Sequence, residues 1–206
     1  MEQNDIFALA SKAMEEKQAV KESEKTCIIV GEKGSGKSTL VSALTNEEVK
    51  GERKPTAGID FKYSAKKVDA KKVVGNFHEI GGGRFLSDLL QTVLNSSKLK
   101  DAVVIIAIDM SQPDTALYHL DFWLKKIRNV VDKAIQQLEK DNPEAASKVL
   151  SQSGYKWEGH TDGRRVFPIP IQTIIVGTKY DVFGIEESEN KKWMCRALRF
   201  FAHTNG

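Results

Sequence analysis

Apolar residues along the chain fall into three registers. Short unbroken runs at Cys27 to Val30, Val103 to Ile108 (VVIIAI) and Ile169 to Gly177 (IPIQTIIVG) have the length and β-branched content of strands buried on both faces. Ile59 to Tyr63 and Lys72 to Ile80 alternate with period two and read as half-buried strands. Thr39 to Leu44 follows the first strand as a helix. Leu117, Leu120, Leu124, Ile127, Val131, Ile135 and Leu138 recur at helical spacing, which predicts one long helix from about Thr115. A last helix covers Glu187 to His203. Alternating strands and helices predict an α/β fold, a mostly parallel sheet with helices on both faces.

Between Asp109 and Thr178 lie 68 residues, more than one crossover helix needs. Glu139 to Pro168 is polar, contains Pro143, Gly154, Gly159 and Gly163, and reads as a surface insertion. At the other end Ile6, Leu9, Ala13 and Val20 lie on one helical stripe, which predicts an amphipathic helix over residues 1–24, docked on its own domain or on a partner. The main domain then spans 25–206.

Charge narrows the partners. With 31 basic and 28 acidic residues the chain is nearly neutral, which argues against nucleic acid. Two cysteines, Cys27 and Cys195, are too few for a disulfide framework, suit a reducing compartment, and read as core or semi-buried thiols. No apolar run approaches the ~20 residues of a helical membrane span, so membrane insertion is not expected. The N-terminus is too acidic and polar to read as a signal peptide.

Chemistry enters directly behind the first strand. Gly31 to Ser38 reads GEKGSGKS, a complete GxxxxGK[ST] phosphate loop placed between strand and helix. Gly31, Gly34 and Gly36 let the backbone N–H groups converge, so that with Ser35, Thr39 and the positive helix end they form a polyphosphate cradle. Lys37 reaches the outer phosphates, and the Ser38 hydroxyl suits Mg²⁺.

Three further motifs follow in the order of a Ras-like GTPase. Thr56, behind Pro55, is placed like the switch threonine that senses Mg²⁺ and the terminal phosphate. Glu79-Ile80-Gly81-Gly82 stands where a DxxG turn closes the third strand, with Glu79 in place of the aspartate that binds Mg²⁺ through water. Thr178-Lys179-Tyr180-Asp181 resembles the [NT]KxD base-reading loop. Asp181 would accept two N–H bonds from guanine and Lys179 would lie along the ring; adenine would leave the carboxylate unpaired. The implied ligand is GDP or GTP with Mg²⁺.

Two departures bear on hydrolysis. Gly83 stands where active relatives often carry the glutamine that orients the attacking water, so hydrolysis should be weak or absent. Lys33 fills a loop position that is often glycine. Arg84 follows the triplet, but its direction is not legible in sequence. Three consecutive glycines, Gly81 to Gly83, are costly in conformational entropy and imply a close approach to the phosphates or to another chain.

The run Phe77-His78-Glu79-Ile80-Gly81-Gly82-Gly83, the segment Lys54-Pro55-Thr56, and Gly177-Thr178-Lys179-Tyr180-Asp181-Val182-Phe183 with Leu198-Arg199-Phe200-Phe201-Ala202-His203 resemble the light intermediate chains of cytoplasmic dynein 2. That resemblance implies a GTPase-like domain acting as a non-catalytic motor subunit. Its implied partners are the dynein 2 heavy chain, the other dynein 2 subunits and the intraflagellar transport machinery. Its implied places are the cytoplasm, the cytoskeleton and the cilium, both axoneme and basal body. Nucleotide would be a structural ligand or absent.

A Ras-like sheet would continue after the last helix with a sixth strand and a further helix. Neither is in the sequence, which therefore reads as truncated at its C-terminal end, with Ile169 to Val176 as an apolar edge. In the last helix Trp193, Met194, Ala197, Leu198 and Phe201 can face the sheet. Phe200 with Arg196 and Arg199 lies elsewhere and is the candidate heavy-chain contact, the competing reading being that Phe200 packs under the missing sixth strand or final helix. A working guanine-nucleotide switch is the alternative to a scaffold, and a nucleotide kinase or ATPase would leave the Thr178 to Asp181 motif unexplained.

Overall fold

The computed structural model describes residues 23–47, 55–68, 71–154 and 157–206. The stripe of Ile6, Leu9, Ala13 and Val20, and Lys54, lie outside the described residues. Ser23 and Glu24, read above as the end of the N-terminal helix, are instead the start of β1 (Ser23–Gly31), opposite Val73 and Val74.

β2 (Ile59–Val68), β3 (Lys71–Ile80), β4 (Ala102–Asp109) and β5 (Gln172–Thr178) join β1 in one sheet of order β2-β3-β1-β4-β5. The β2–β3 pairing is antiparallel and the others are parallel, with Ile28 beside Val104 and Ile106 beside Ile175. This is the α/β architecture that the apolar runs predict.

Helix α1 (Lys37–Thr45) follows β1. A 3₁₀ segment, Gly83–Leu89, leads into the single turn α2 (Leu90–Val93). The long helix α3 (Pro113–Asp141) opens with Pro113, whose fixed φ and missing N–H suit a first helical turn. Its Leu120, Trp123, Leu124, Ile127 and Val131 are buried against one face of the sheet, where Ile28, Val30, Val104, Ile106 and Ile108 point. Each such side chain contributes about 1.5–3 kcal/mol on burial, so the centre of the sheet is held by its own apolar core. The opposite face is thinner: Ile29 and Ile105 pack under Val41 of α1, and Ile174 on the edge strand is 39% exposed.

Three expectations need correction. The segment 139–168 is not simply a surface insertion, because α4 (Pro143–Gly154) packs on α3 and buries Ala146 and Val149; Asn142 Oδ1 accepts the N–H of Ala145 at its start. The last strand begins at Gln172, not Ile169. Pro168 and Pro170 can donate nothing to a ladder, and the N–H groups of Phe167 and Ile169 go instead to Thr204 and Asn205 at the end of α6 (Ser188–Asn205). Cys195 is exposed rather than semi-buried, because α6 turns Met194, Leu198 and Phe201 inward and the adjacent position outward. No helix among the described residues is long and apolar enough to cross a membrane.

Candidate functional site

β1 hands the chain at Gly31 to the phosphate loop, and α1 leaves the loop at Lys37. Gly36 takes the left-handed conformation, φ 80°, and no side chain caps the helix there. No capping side chain therefore competes with a ligand for the start of α1. Lys37, 5% exposed, donates to the carbonyls of Gly31 at 3.0 Å and Glu32 at 2.7 Å. Burial lowers its pKa, opposed by the charges of Glu79 and Glu32. Its two hydrogen bonds go to neutral carbonyls, so the oxygens of a phosphate would add a directly bonded counter-charge.

Residues Lys33 to Thr39, including Gly34, Ser35, Gly36 and Ser38, share a cavity of about 560 Å³ with Thr56, Glu79, Gly81 and Gly82. The hydroxyls of Ser38 and Thr56 both donate to Glu79 Oε1, at 2.7 and 3.0 Å. Glu79 is 3% exposed, and its Oε2 has no hydrogen-bond partner among the described residues. One carboxylate and two hydroxyls form an all-oxygen set that suits Mg²⁺ but leaves coordination positions for phosphate and water. The residues thus fit a nucleotide-bound cation, with Ser38 and Thr56 as the protein ligands.

The glycine triplet packs inside the domain. A Cβ on Gly81 would meet the carbonyl oxygen of Thr56 at 2.2 Å, and one on Gly83, φ 59°, would meet Glu32 Oε2 at 2.7 Å. Arg84, whose direction the sequence left open, places Nε 2.6 Å from Glu32 Oε1 and lies 5.1 Å from the ring centroid of Tyr118. The Glu32 contact is one of charge, since Oε1 has no directed hydrogen bond among the described residues. With its guanidinium held there, and no side chain on Gly83, this turn offers no group to orient a water.

The Thr178-Lys179-Tyr180-Asp181 segment flanks the phosphate loop. Thr178 Oγ1 lies 2.7 Å from the carbonyl of Ser35 and 3.0 Å from that of Ile108, tying β5 to the loop. Lys179, φ 54°, donates to Asp109 Oδ2 at 2.6 Å, so its ammonium is engaged. Burial raises the Asp109 pKa, but bonds from Lys179 and Ser111 outweigh it and the carboxyl lies below its ordinary value. Asp181, in the first turn of α5 (Tyr180–Phe183), is exposed. Sequence reasoning missed Glu32, Tyr118 and Asp109. An aspartate ending a buried strand was the available hint for the last; the Arg84 clamp has no local signal.

A model of the dynein light intermediate chain family matches residues 3–163, more than half of the chain. The chain belongs to that family. It is 32% identical over 187 residues to cytoplasmic dynein 2 light intermediate chain 1 of Homo sapiens, covering 89% of this chain and 52% of that protein. The Danio rerio counterpart is 30% identical over 195 residues, covering 93% of this chain and 53% of that protein. The chain thus spans about half the length of these relatives. The crystal structure of the dynein light intermediate chain's conserved domain superposes with a TM-score of 0.62 at 14% identity, over 89% of this chain and 65% of that one, which supports the Ras-like fold.

In this light intermediate chain, α6 presents Arg196, Arg199 and Phe200 to solvent, with Phe200 64% exposed. Phe200 therefore does not pack in the core of the described residues. Trp193, expected to face the sheet, is also 64% exposed and has the Arg196 guanidinium 5.5 Å from its ring centroid. The helix buries one narrow face only, and position 193 falls outside it.

Proposed function

We propose that this chain acts as a non-catalytic light intermediate chain of the cytoplasmic dynein 2 motor, docking on the heavy-chain tail in retrograde intraflagellar transport and cilium assembly. Cytoplasm, axoneme and basal body are its proposed places, and the intraflagellar transport machinery and other dynein 2 subunits its further partners. The observation that carries the scaffold reading is the turn after β3: Gly83 has no side chain and Arg84 is drawn to Glu32 and Tyr118. Nucleotide, GDP or GTP with Mg²⁺, is then a structural ligand held by Lys37, Ser38 and the loop glycines, with Thr178, Lys179 and Asp181 reading guanine. Trp193, Arg196, Arg199 and Phe200 on α6 are the proposed heavy-chain contact, since aromatics and arginines anchor interfaces.

A guanine-nucleotide switch is the second reading, favoured by the convergence of Ser38, Thr56 and Glu79 in one cavity. Single-turnover decay of GTP on the full-length protein separates the two. The scaffold reading expects decay no faster than in the Lys37→Ala variant. Decay that depends on Lys37 and Mg²⁺ would establish the switch.

A further inference from the structure

Glu79 carries one methylene more than the aspartate of the Ras-like pattern, and its Oε1 accepts from Ser38 and Thr56 together. The Gly81 N–H donates to Gly58 O at 2.6 Å, and Gly81 lies so close to the Thr56 carbonyl that no Cβ fits between them. On the other side of the turn Arg84 pairs with Glu32 of the phosphate loop and lies over Tyr118. All these contacts join protein to protein. From them we infer that Glu79 is the positioning residue that holds Thr56 against the phosphate loop, so that the cavity takes a nucleoside diphosphate and a nucleoside triphosphate with one and the same arrangement of residues 55–58 and 81–84.

The inference rests on the reading that the cavity binds a nucleoside polyphosphate. A ligand shifts a conformational equilibrium only by its differential affinity for the two states. Where Thr56 is already docked through Glu79, a third phosphate finds little left to order. An aspartate at position 79 would be about 1.5 Å shorter, one carbon–carbon bond, and would reach Ser38 or Thr56 but not both. The extra methylene therefore replaces a ligand-dependent contact with a permanent one.

Amide hydrogen exchange of the full chain tests this, read at residues 56–58 and 82–84 without ligand, with Mg²⁺-GDP, and with a non-hydrolysable Mg²⁺-GTP analogue. In the wild type the two nucleotide states should agree within about twofold at both segments. Glu79→Asp should exchange at least about tenfold faster at 56–58 without ligand and slow again with the GTP analogue, while 82–84, held by Arg84, stays at the wild-type rate. Glu79→Gln keeps an acceptor oxygen at the same reach and should restore the wild-type pattern. Slowing of 56–58 in the wild type by the analogue over GDP of about tenfold or more, or wild-type rates in Glu79→Asp, would overturn the inference. Absence of calorimetric heat with either nucleotide would defeat the nucleotide reading alone. The ligand-free comparison of wild type with Glu79→Asp would then decide the anchor, faster exchange supporting it and equal rates overturning it.

Discussion

The Lys179 ammonium lies 2.6 Å from Asp109 Oδ2, joining the loop after β5 to the end of β4. Asp109 also accepts from the N–H and hydroxyl of Ser111, at 3.0 and 2.5 Å. One carboxylate thus braces the turn after β4 and the loop after β5. Asp109→Asn should lower stability by about 1 kcal/mol at pH 7, the scale of a partly exposed pair. Because the folded pKa of Asp109 lies below its ordinary 3.8, this contribution is present above about pH 4 and is lost as pH falls through the folded value. Denaturant unfolding of both proteins between pH 3 and 7 should therefore show a gap that closes only at the acid end.

Asp181→Asn should cost GDP binding about 2–4 kcal/mol while leaving ADP binding unchanged, as expected when one side of a paired charged contact is removed. Isothermal titration with both nucleotides checks it. Equal wild-type affinity for GDP and ADP would remove the base-reading role.

Lys37→Ala should lose nucleotide binding by at least about 2 kcal/mol yet still be captured by the heavy-chain tail, because Ile28, Val30, Val104 and Ile106 pack without reference to a phosphate. Nucleotide bound tightly to the wild type would add several kcal/mol of stability by mass action, so melting is compared without added ligand. A folded variant that fails to bind the tail would favour the switch.

Phe200→Ser, at a position 64% exposed, should change stability by no more than about 0.5 kcal/mol and abolish heavy-chain capture. A loss of several kcal/mol, as for a core aromatic, would remove Phe200 from the proposed contact.

Gly83→Ala places a methyl 2.7 Å from Glu32 Oε2 and 2.9 Å from the Lys33 nitrogen at φ 59°. The strain should cost about 1–3 kcal/mol, measured as a lowered unfolding midpoint, whereas Ala at Gly34, which has open space around it despite φ 79°, should cost less.

What was legible in the sequence was local. The GEKGSGKS loop announced itself through a strand before it and a helix after it, and β4 through an unbroken apolar run. The misreadings came from tertiary context. Pro168 and Pro170 kept residues 169–171 off the ladder although they are as apolar as the strand, and a short repeat of small apolar residues at 146 and 149 was enough for α4 once α3 lay beside it. Trp193 looked inward because Trp usually does, but the buried face of α6 is too narrow to include it. The direction of Arg84 depends on Glu32, 52 positions earlier in the chain, and on Tyr118, 34 positions later, which no window on the sequence could bring together.

The two thiols are chemically unequal. Burial pushes Cys27 up to about 11, so at neutral pH it stays protonated and inert, whereas Cys195 is exposed on α6 between Trp193 and Arg196. On this chain a maleimide dye should therefore attach at Cys195 in preference to Cys27, within the surface proposed to meet the heavy chain. Fluorescence of that dye should then change when a partner covers this face of α6.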